Sequence, residues 1–476
     1  MKILRINCVW SGFLSLVLSL HAQTFTTVHA FMDTDGAEPN ALIQGSDGLL
    51  YGTSGAGLGS GGTVFKMALG GTVTTLYQFC SVSQCLTGDA PIGGLALATD
   101  GNFYGTTSTG GASILDGTVF KITPSGTLMT LYSFCSQTNC ADGQGPWAGL
   151  VEGTDGNFYG TTVSGGAYGY GTVFKVTPHG DLTTLHSFAG YPVDGETPYS
   201  GLIQGWDGDF YGTTSQGGVN GRGTIFKITS AGTLTILHEF NGADGAGPWA
   251  GLIQAIDGNF YGTTYFGGAN CALQGGCGTV FKSSPSGALT TLHSFDLTDG
   301  DNIHSGLVQA TDGNFYGTAS GGGANSEGTL YEITASGALT VLHSFCSLSA
   351  CADGIFPIAG LVQHTNGTLY GPSYQGGYNY DDCIAGCGTI FSLGMGLGPF
   401  VTFVRAAGKI GQTGDILGQG FTGTTSVSLN GTAASFTIVS DTLIRATVPH
   451  GGTSGYVTVT TPSGKLTSNV PFRVIP

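Results

Sequence analysis

Charge is scarce in this chain. Only 9% of its 476 residues are Asp, Glu, Lys or Arg, and 13 basic residues face 29 acidic ones. With a net charge of −16 and no basic cluster, nucleic acid and anionic membranes are poor partners. After the N-terminus no apolar run is long enough to span a bilayer, so no transmembrane segment is expected in the mature chain. Familiar catalytic signatures are also missing: there is no nucleophile elbow, no HExxH and no P-loop. The 86 glycines follow no G-X-Y period, which excludes collagen, and 11% aromatics supply more apolar bulk than a disordered chain carries.

What is present begins with a leader. Lys2 and Arg5 precede an apolar stretch from Phe13 to Leu20, and Leu20-His21-Ala22 reads as a cleavage site before Gln23. Residues 1–22 are therefore read as a secretory signal. Its loss removes two bases and no acids, taking the net charge from −16 to −18. Of the 11 cysteines, Cys8 leaves with the leader. The rest form five close pairs: Cys80 with Cys85, Cys135 with Cys140, Cys271 with Cys277, Cys346 with Cys351, and Cys383 with Cys387. An even count in an exported chain reads as disulfides. Zinc is the rival, but each pair falls in a different repeat and has no His beside it.

The dominant feature is repetition. "DGNFYGTT" starts at Asp100, Asp155 and Asp257, with "DGDFYGTT" at Asp207. Its Tyr recurs as Tyr51, Tyr104, Tyr159, Tyr211, Tyr261, Tyr316 and Tyr370, at spacings of 53, 55, 52, 50, 55 and 54 residues. Each unit holds four strand-like pieces, shown by "AGLVEG", "NFYGTT", "GTVFKVT" and "DLTTLHSF". Asp-Gly joins the first to the second as a hairpin turn, so the repeated Asp is read as a turn residue. The seventh unit lacks its fourth piece, and "TFTTVHAF" from Thr24 can supply it. The expected fold class is all-β: a seven-bladed β-propeller closed by the N-terminal strand, over residues 23–396, followed by a small immunoglobulin-like β-sandwich at 397–476. His29, His186, His238, His293 and His343 share one outer-strand position with Tyr77 and Tyr132. One per blade at the rim, they are expected to be packed or hydrogen-bonded rather than metal-bound.

The Asp-Gly turns share one face of such a ring, while longer, variable loops carrying all five cysteine pairs share the other. Between blades runs Asp-Gly-x-x-Pro, with Asp35, Asp142, Asp194, Asp244, Asp299 and Asp353 at its head and Asp89 slightly shifted. The residue after the Pro position is Asn40, Ile92, Trp147, Tyr199, Trp249, His304 or Ile358, and these should ring the channel mouth. Trp147, Tyr199 and Trp249, with His304 and Asn40, form the candidate ligand site, because neighbouring aromatics can stack on sugar rings; plain packing of the channel is the alternative. No cofactor is expected. The Asp ring could hold Ca²⁺, against a loop-capping role.

Past "GMGLGPF" the repeat ends. "GQGF", "VSDTLIRATVP" and "GYVTVTTPSG" resemble the IPT/TIG family over residues 400–476, which implies an immunoglobulin-like module used as a spacer or interaction domain. Upstream, "DGNFYGTT" and "GTVFKITPSGTLMTLYSF" resemble the GloVer tandem-repeat, or choice-of-anchor, family of bacteria over residues 24–393. That resemblance implies an exported or surface-associated protein and implies no activity. The chain ends "PFRVIP" without a hydrophobic tail, which departs from the anchoring in the family's name.

Three functions follow from these readings. The main expectation is a non-enzymatic bacterial binding or adhesion protein, exported to the cell surface, periplasm or medium, with a glycan or protein partner. Its breaks from the repeat are aromatic and cysteine rather than titratable. The alternative is a secreted glycan-active hydrolase or lyase with carboxylates at the channel mouth, for which Glu38 and Glu196 are the candidates. A structural envelope component is the third.

Overall fold

In the computed structural model the described residues are 23–57, 61–80, 85–113, 115–271, 275–377, 383 and 385–476. The leader expected at 1–22 lies outside them. Among the described residues there is no α-helix and no helix long and apolar enough to cross a membrane. The chain is built from four-stranded antiparallel sheets.

One repeat shows why. Val151–Glu152, Phe158–Thr162, Thr172–Val176 and Leu182–Ser187 pair in that order. The second and third strands are buried on both faces ("FYGTT", "TVFKV"), so they read as near-continuous apolar and Thr-rich runs. The fourth alternates, because its outer face meets solvent. Among the described residues seven such sheets lie between Thr24 and Gly394. In the last, Thr24–Ala30 pairs antiparallel with Thr389–Gly394, beside Leu369–Ser373 and Val362–Gln363. Most inner strands keep only two residues in their ladder. At Gly149 the chain leaves the ladder and packs on its neighbour, where a Cβ would stand 2.6 Å from the Gly94 carbonyl oxygen.

Successive sheets pack through one contact repeated. Tyr104 stacks on Phe158 at 3.8 Å, Tyr159 on Phe210 at 3.8 Å and Tyr261 on Phe315 at 4.1 Å between ring centroids. Tyr370 shares a core with Leu50, so the succession returns to its start. The arrangement is propeller-like. A second join lies at the loops: Gly117 (φ 84°) would place a Cβ 2.4 Å from the Thr107 carbonyl and 2.6 Å from Pro146 Cδ of the next repeat. Only Gly fits there.

After Gly394 the strands change pattern. Thr402–Phe403, Thr413–Leu417, Leu443–Thr447 and Phe436–Ser440 form one sheet, and Thr432–Ala434, Ser426–Leu429, Val457–Thr461 and Gly464–Thr467 a second. Val401, Ile416, Phe421, Val427, Ile444 and Val459 form the core between them. This unit sits on the Asp-Gly-turn side of the ring. Thr442 Oγ1 donates to the Ser46 carbonyl at 2.7 Å, the Phe400 N–H to the Thr365 carbonyl at 3.0 Å, and Leu417 and Leu443 share a core with Tyr51 and Phe103.

Candidate functional site

The repeated octapeptide holds itself together. Asp100 Oδ1 accepts the Asn102 N–H at 3.0 Å, while Oδ2 accepts the Tyr104 hydroxyl at 2.9 Å and Lys121 Nζ at 2.7 Å. The same Tyr-to-Asp bond recurs from Tyr51 to Tyr316. Burial alone would raise the Asp100 carboxyl; the Lys121, Asn102 and Tyr104 donors outweigh it and lower it to about 2. These carboxylates close turns.

The aspartates between repeats are equally engaged. Asp353 is fully buried and accepts His343 Nε2 at 2.9 Å, the Ser347 N–H and hydroxyl at 2.9 and 2.7 Å, and the Leu348 N–H at 3.2 Å. His29, His186, His238 and His293 reach Asp35, Asp194, Asp244 and Asp299 at 2.7–3.0 Å, and Tyr132 reaches Asp142 at 2.8 Å. Carboxylates facing N–H and O–H donors suit loop capping and offer Ca²⁺ few free lone pairs.

All five cysteine pairs are disulfides. Cys80 is bonded to Cys85, Cys135 to Cys140, Cys271 to Cys277, Cys346 to Cys351, and Cys383 to Cys387. Two clusters with metal-ligand spacing, one of Cys80, Cys85 and Asp89 and one of Asp116, Cys135 and Cys140, therefore contain sulfurs already bonded to each other. The staples are not all surface features, as loop cysteines would suggest. Cys277 and Cys387 are buried and belong to the apolar cores of their repeats, Cys277 beside Val280 and Cys387 beside Ile390. Cys140 and Cys351 instead close the 3₁₀ turns Thr138–Cys140 and Ser349–Cys351 and are half-buried. Two of the bridges thus tie a loop to the core, and their sulfurs face packing rather than a ligand.

Two residues after each inter-repeat Gly, the backbone turns left-handed: Glu38, Ala90, Gly145, Thr197, Gly247, Asn302 and Phe356 have φ between 49° and 64°. Six of these N–H groups donate to a carbonyl of the preceding repeat, as Thr197 does to Tyr170 at 3.0 Å. Asn302 keeps the conformation, but among the described residues its N–H makes no such bond; its Nδ2 donates to Asp301 Oδ2 at 2.9 Å. The sequence departs here too, with Ile303 in the place of Pro.

The mouth residues meet in a chain of rings. Trp147 contacts Tyr199 at 5.1 Å, Tyr199 contacts Trp249 at 5.0 Å, and Trp249 contacts His304 at 5.0 Å. Tyr265 joins them, stacked on Trp249 at 4.7 Å and edge-on to His304 at 4.6 Å. Trp147 keeps 44% of its surface exposed. Asn40 is buried, and among the described residues its Nδ2 has no hydrogen-bond partner. Glu38 bonds Tyr374, whereas Glu196 pairs in register with Gln216 and points its carboxylate toward Gly190. Among the described residues no hydrogen bond or ion pair joins Glu38 to Glu196, or either to the aromatic run.

A different carboxylate stands at that run. Asp301 and Tyr265 line a cavity of about 420 Å³ with Asn302, Ser320 and Phe356. Burial raises the Asp301 carboxyl, burial and the Asp301 charge raise the Tyr265 phenol, and burial lowers the His304 imidazole to about 4. Near neutrality this places a basic carboxylate, a phenol donor and a neutral imidazole at one end of an aromatic wall. Neither Asp301 nor Tyr265 figures among the sequence candidates. The readable signal was the Asp-Asn-Ile run where other repeats end in Pro.

The fold and this mouth define an all-β repeat protein of propeller-like build with a polar, titratable pocket beside aromatic rings. The repeat pattern matches the Gloeobacter/Verrucomicrobia repeat over residues 16–151, 135–310 and 272–435, and the chain belongs to that family. No curated protein matches it in sequence. Several solved structures resemble it. A periplasmic gluconolactonase of Pseudomonas aeruginosa is 17% identical over 75% of this chain and 98% of its own, with a TM-score of 0.39. A Bacteroides uniformis protein, provisionally described as a 6-phosphogluconolactonase, is 15% identical over 75% and 100%, with a TM-score of 0.45. A luciferin-regenerating enzyme is 11% identical over 80% and 98%, with a TM-score of 0.41. At such identities the likeness is one of fold. The expectation of a non-enzymatic adhesion protein is corrected here: the structures the chain resembles bear the names of enzymes, lactonases among them.

Proposed function

We propose that this chain is an exported hydrolase or lyase acting on a carbohydrate at the mouth of its ring of sheets. In this reading the sheets are seven blades closed by the strand Thr24–Ala30, the unit from residue 397 is an immunoglobulin-like module of IPT/TIG type, and residues 1–22 direct export. The observation that carries the proposal is the meeting of Asp301, Tyr265 and His304 with the run Trp249–Tyr199–Trp147. The rings would stack on sugar faces. Asp301 would be the general base, its raised carboxyl closer to working pH than an ordinary aspartate, and Tyr265 the donor to a leaving oxygen. Five disulfides and the absence, among the described residues, of a membrane-spanning helix agree with export.

The test is turnover of a panel of soluble oligo- and polysaccharides by residues 23–476, followed by new reducing ends and by unsaturated products. Asp301→Asn should lower kcat about 100-fold or more. Trp147→Ala and Trp249→Ala should act mainly on KM. Absence of turnover across the panel, or full activity in Asp301→Asn, would overturn the reading.

A further inference from the structure

The side of the ring away from the mouth carries a second pattern. Gln44, Gln204, Gln254, Gln309 and Gln363 hold one position of the inner strands. Each side-chain carbonyl accepts a backbone N–H from the neighbouring repeat, at 2.8–3.1 Å. Two adjacent repeats depart from Gln at this position, and only the first loses the bond. Leu97 replaces one Gln, and Glu152 replaces the next, accepting the Thr99 N–H and hydroxyl at 2.9 and 2.6 Å.

Over this break the C-terminal unit lays residues 404–407 and 470–473, forming a cavity of about 680 Å³. Its walls are mainly apolar, with Leu97, Val151, Ile203, Ile253 and Phe472 among them, and Trp206 at one side. Three lining side chains are charged. Arg405 lies 3.7 Å from Glu152, and both are largely buried. Arg473 donates from Nη1 to the Gly205 carbonyl at 2.8 Å, and among the described residues no carboxylate lies within ion-pairing distance of it. Once Glu152 offsets Arg405, one half-buried guanidinium remains in an apolar chamber of a protein that is otherwise strongly acidic. Burial pushes that guanidinium below its ordinary range, against the Asp207 charge that acts on it through space without a direct ion pair.

We propose that this cavity binds a single-chain alkyl carboxylate, its head on Arg473 and its tail along Leu97, Val151 and Ile203. The volume falls in the ~300–1,000 Å³ range of small-molecule sites. A guanidinium fork matches a carboxylate by two parallel hydrogen bonds. The apolar wall gives little to a sugar and much to methylene groups, which leave water on entering it. The anionic exterior disfavours the same ligand elsewhere.

The probe is dodecanoate below its micellar concentration, titrated into residues 23–476 by calorimetry and by tryptophan emission. One saturable site per chain is expected, with a blue shift that Trp206→Phe abolishes while the calorimetric binding remains. Arg473→Gln should weaken binding at least tenfold, and dodecanol and dodecyltrimethylammonium should bind at least tenfold more weakly than dodecanoate. Val151→Trp, which fills the chamber without touching the charges, should abolish binding in a protein of unchanged circular dichroism. Should Arg473→Gln fail to fold, Val151→Trp and Arg473→Lys carry the test, the latter with intermediate affinity. Absence of saturable heat, equal binding of the alcohol, or undiminished affinity in folded Arg473→Gln or Val151→Trp would overturn the proposal.

Discussion

Tyr331 occupies the slot that Phe65, Phe120, Phe174, Phe226, Phe281 and Phe391 fill in the other repeats. It is fully buried, and among the described residues its hydroxyl has no hydrogen-bond partner. A buried, unsatisfied hydroxyl costs about 1–3 kcal/mol. Tyr331→Phe should therefore stabilise the protein by roughly 1 kcal/mol, read as a higher urea midpoint with unchanged slope. The turn aspartates give a pH prediction. Asp100 and Asp257 sit at about 2, below the ordinary 3.8, because Lys, Asn and Tyr donors outweigh their burial. A carboxyl lowered by folding contributes stability above its unfolded value, and loses that contribution as pH falls from about 4 toward 2. With Lys121→Met and Lys282→Met, both groups should protonate nearer 3.8. The acid-unfolding midpoint, followed by circular dichroism, should move to higher pH. Stability at pH 7 should fall as well, only modestly because these ion pairs are partly exposed.

At the scale of the element, the strand Thr24–Ala30 has the largest leverage for its length. It covers the edge of Thr389–Gly394, a strand buried along most of its length. Without residues 23–30, six residues of backbone donors and acceptors would stand open beside apolar side chains, a template for pairing between chains. That truncated chain should self-associate in light scattering, and added peptide TFTTVHA should suppress the association by occupying the vacant edge. An unchanged monomeric signal without the peptide would show that the strand closes nothing.

Across the whole molecule, the C-terminal unit and the ring share a core. Leu417 and Leu443 pack with Tyr51, Leu95 and Phe103. Leu443→Ala should cost about 2–5 kcal/mol, and calorimetry should show the ring's unfolding moving with it. Two independent transitions, with only the smaller one shifted, would mean that the shared core does not couple them. The contact also gives the Asp-Gly-turn side a lid, so the two ends of the ring differ: an open aromatic mouth at one, a covered cavity at the other.

Sequence alone determined what depends on neighbours along the chain. The period of the repeat, the Asp-Gly turns, the close cysteine pairs and the all-β class all rest on local spacing and on the few conformations that Gly and Asp favour. It also located the run Trp147–Tyr199–Trp249–His304, because one position recurs once per repeat. Tertiary structure alone decided which groups meet across repeats. Glu38 and Glu196 look alike in sequence but, among the described residues, form no hydrogen bond or ion pair with each other or with the rings. Cys277 and Cys387 pair locally, as their spacing suggests, yet only the packed sheets bury them in a core. Asp301 acquires its raised carboxyl only from the burial that the surrounding loops impose. Glu152 meets Arg405 from a distant part of the chain, and the Arg473 guanidinium loses water only when the last strand folds onto the ring. Burial and charge act through space at a few ångströms, and no spacing along the chain encodes which distant side chains will share it.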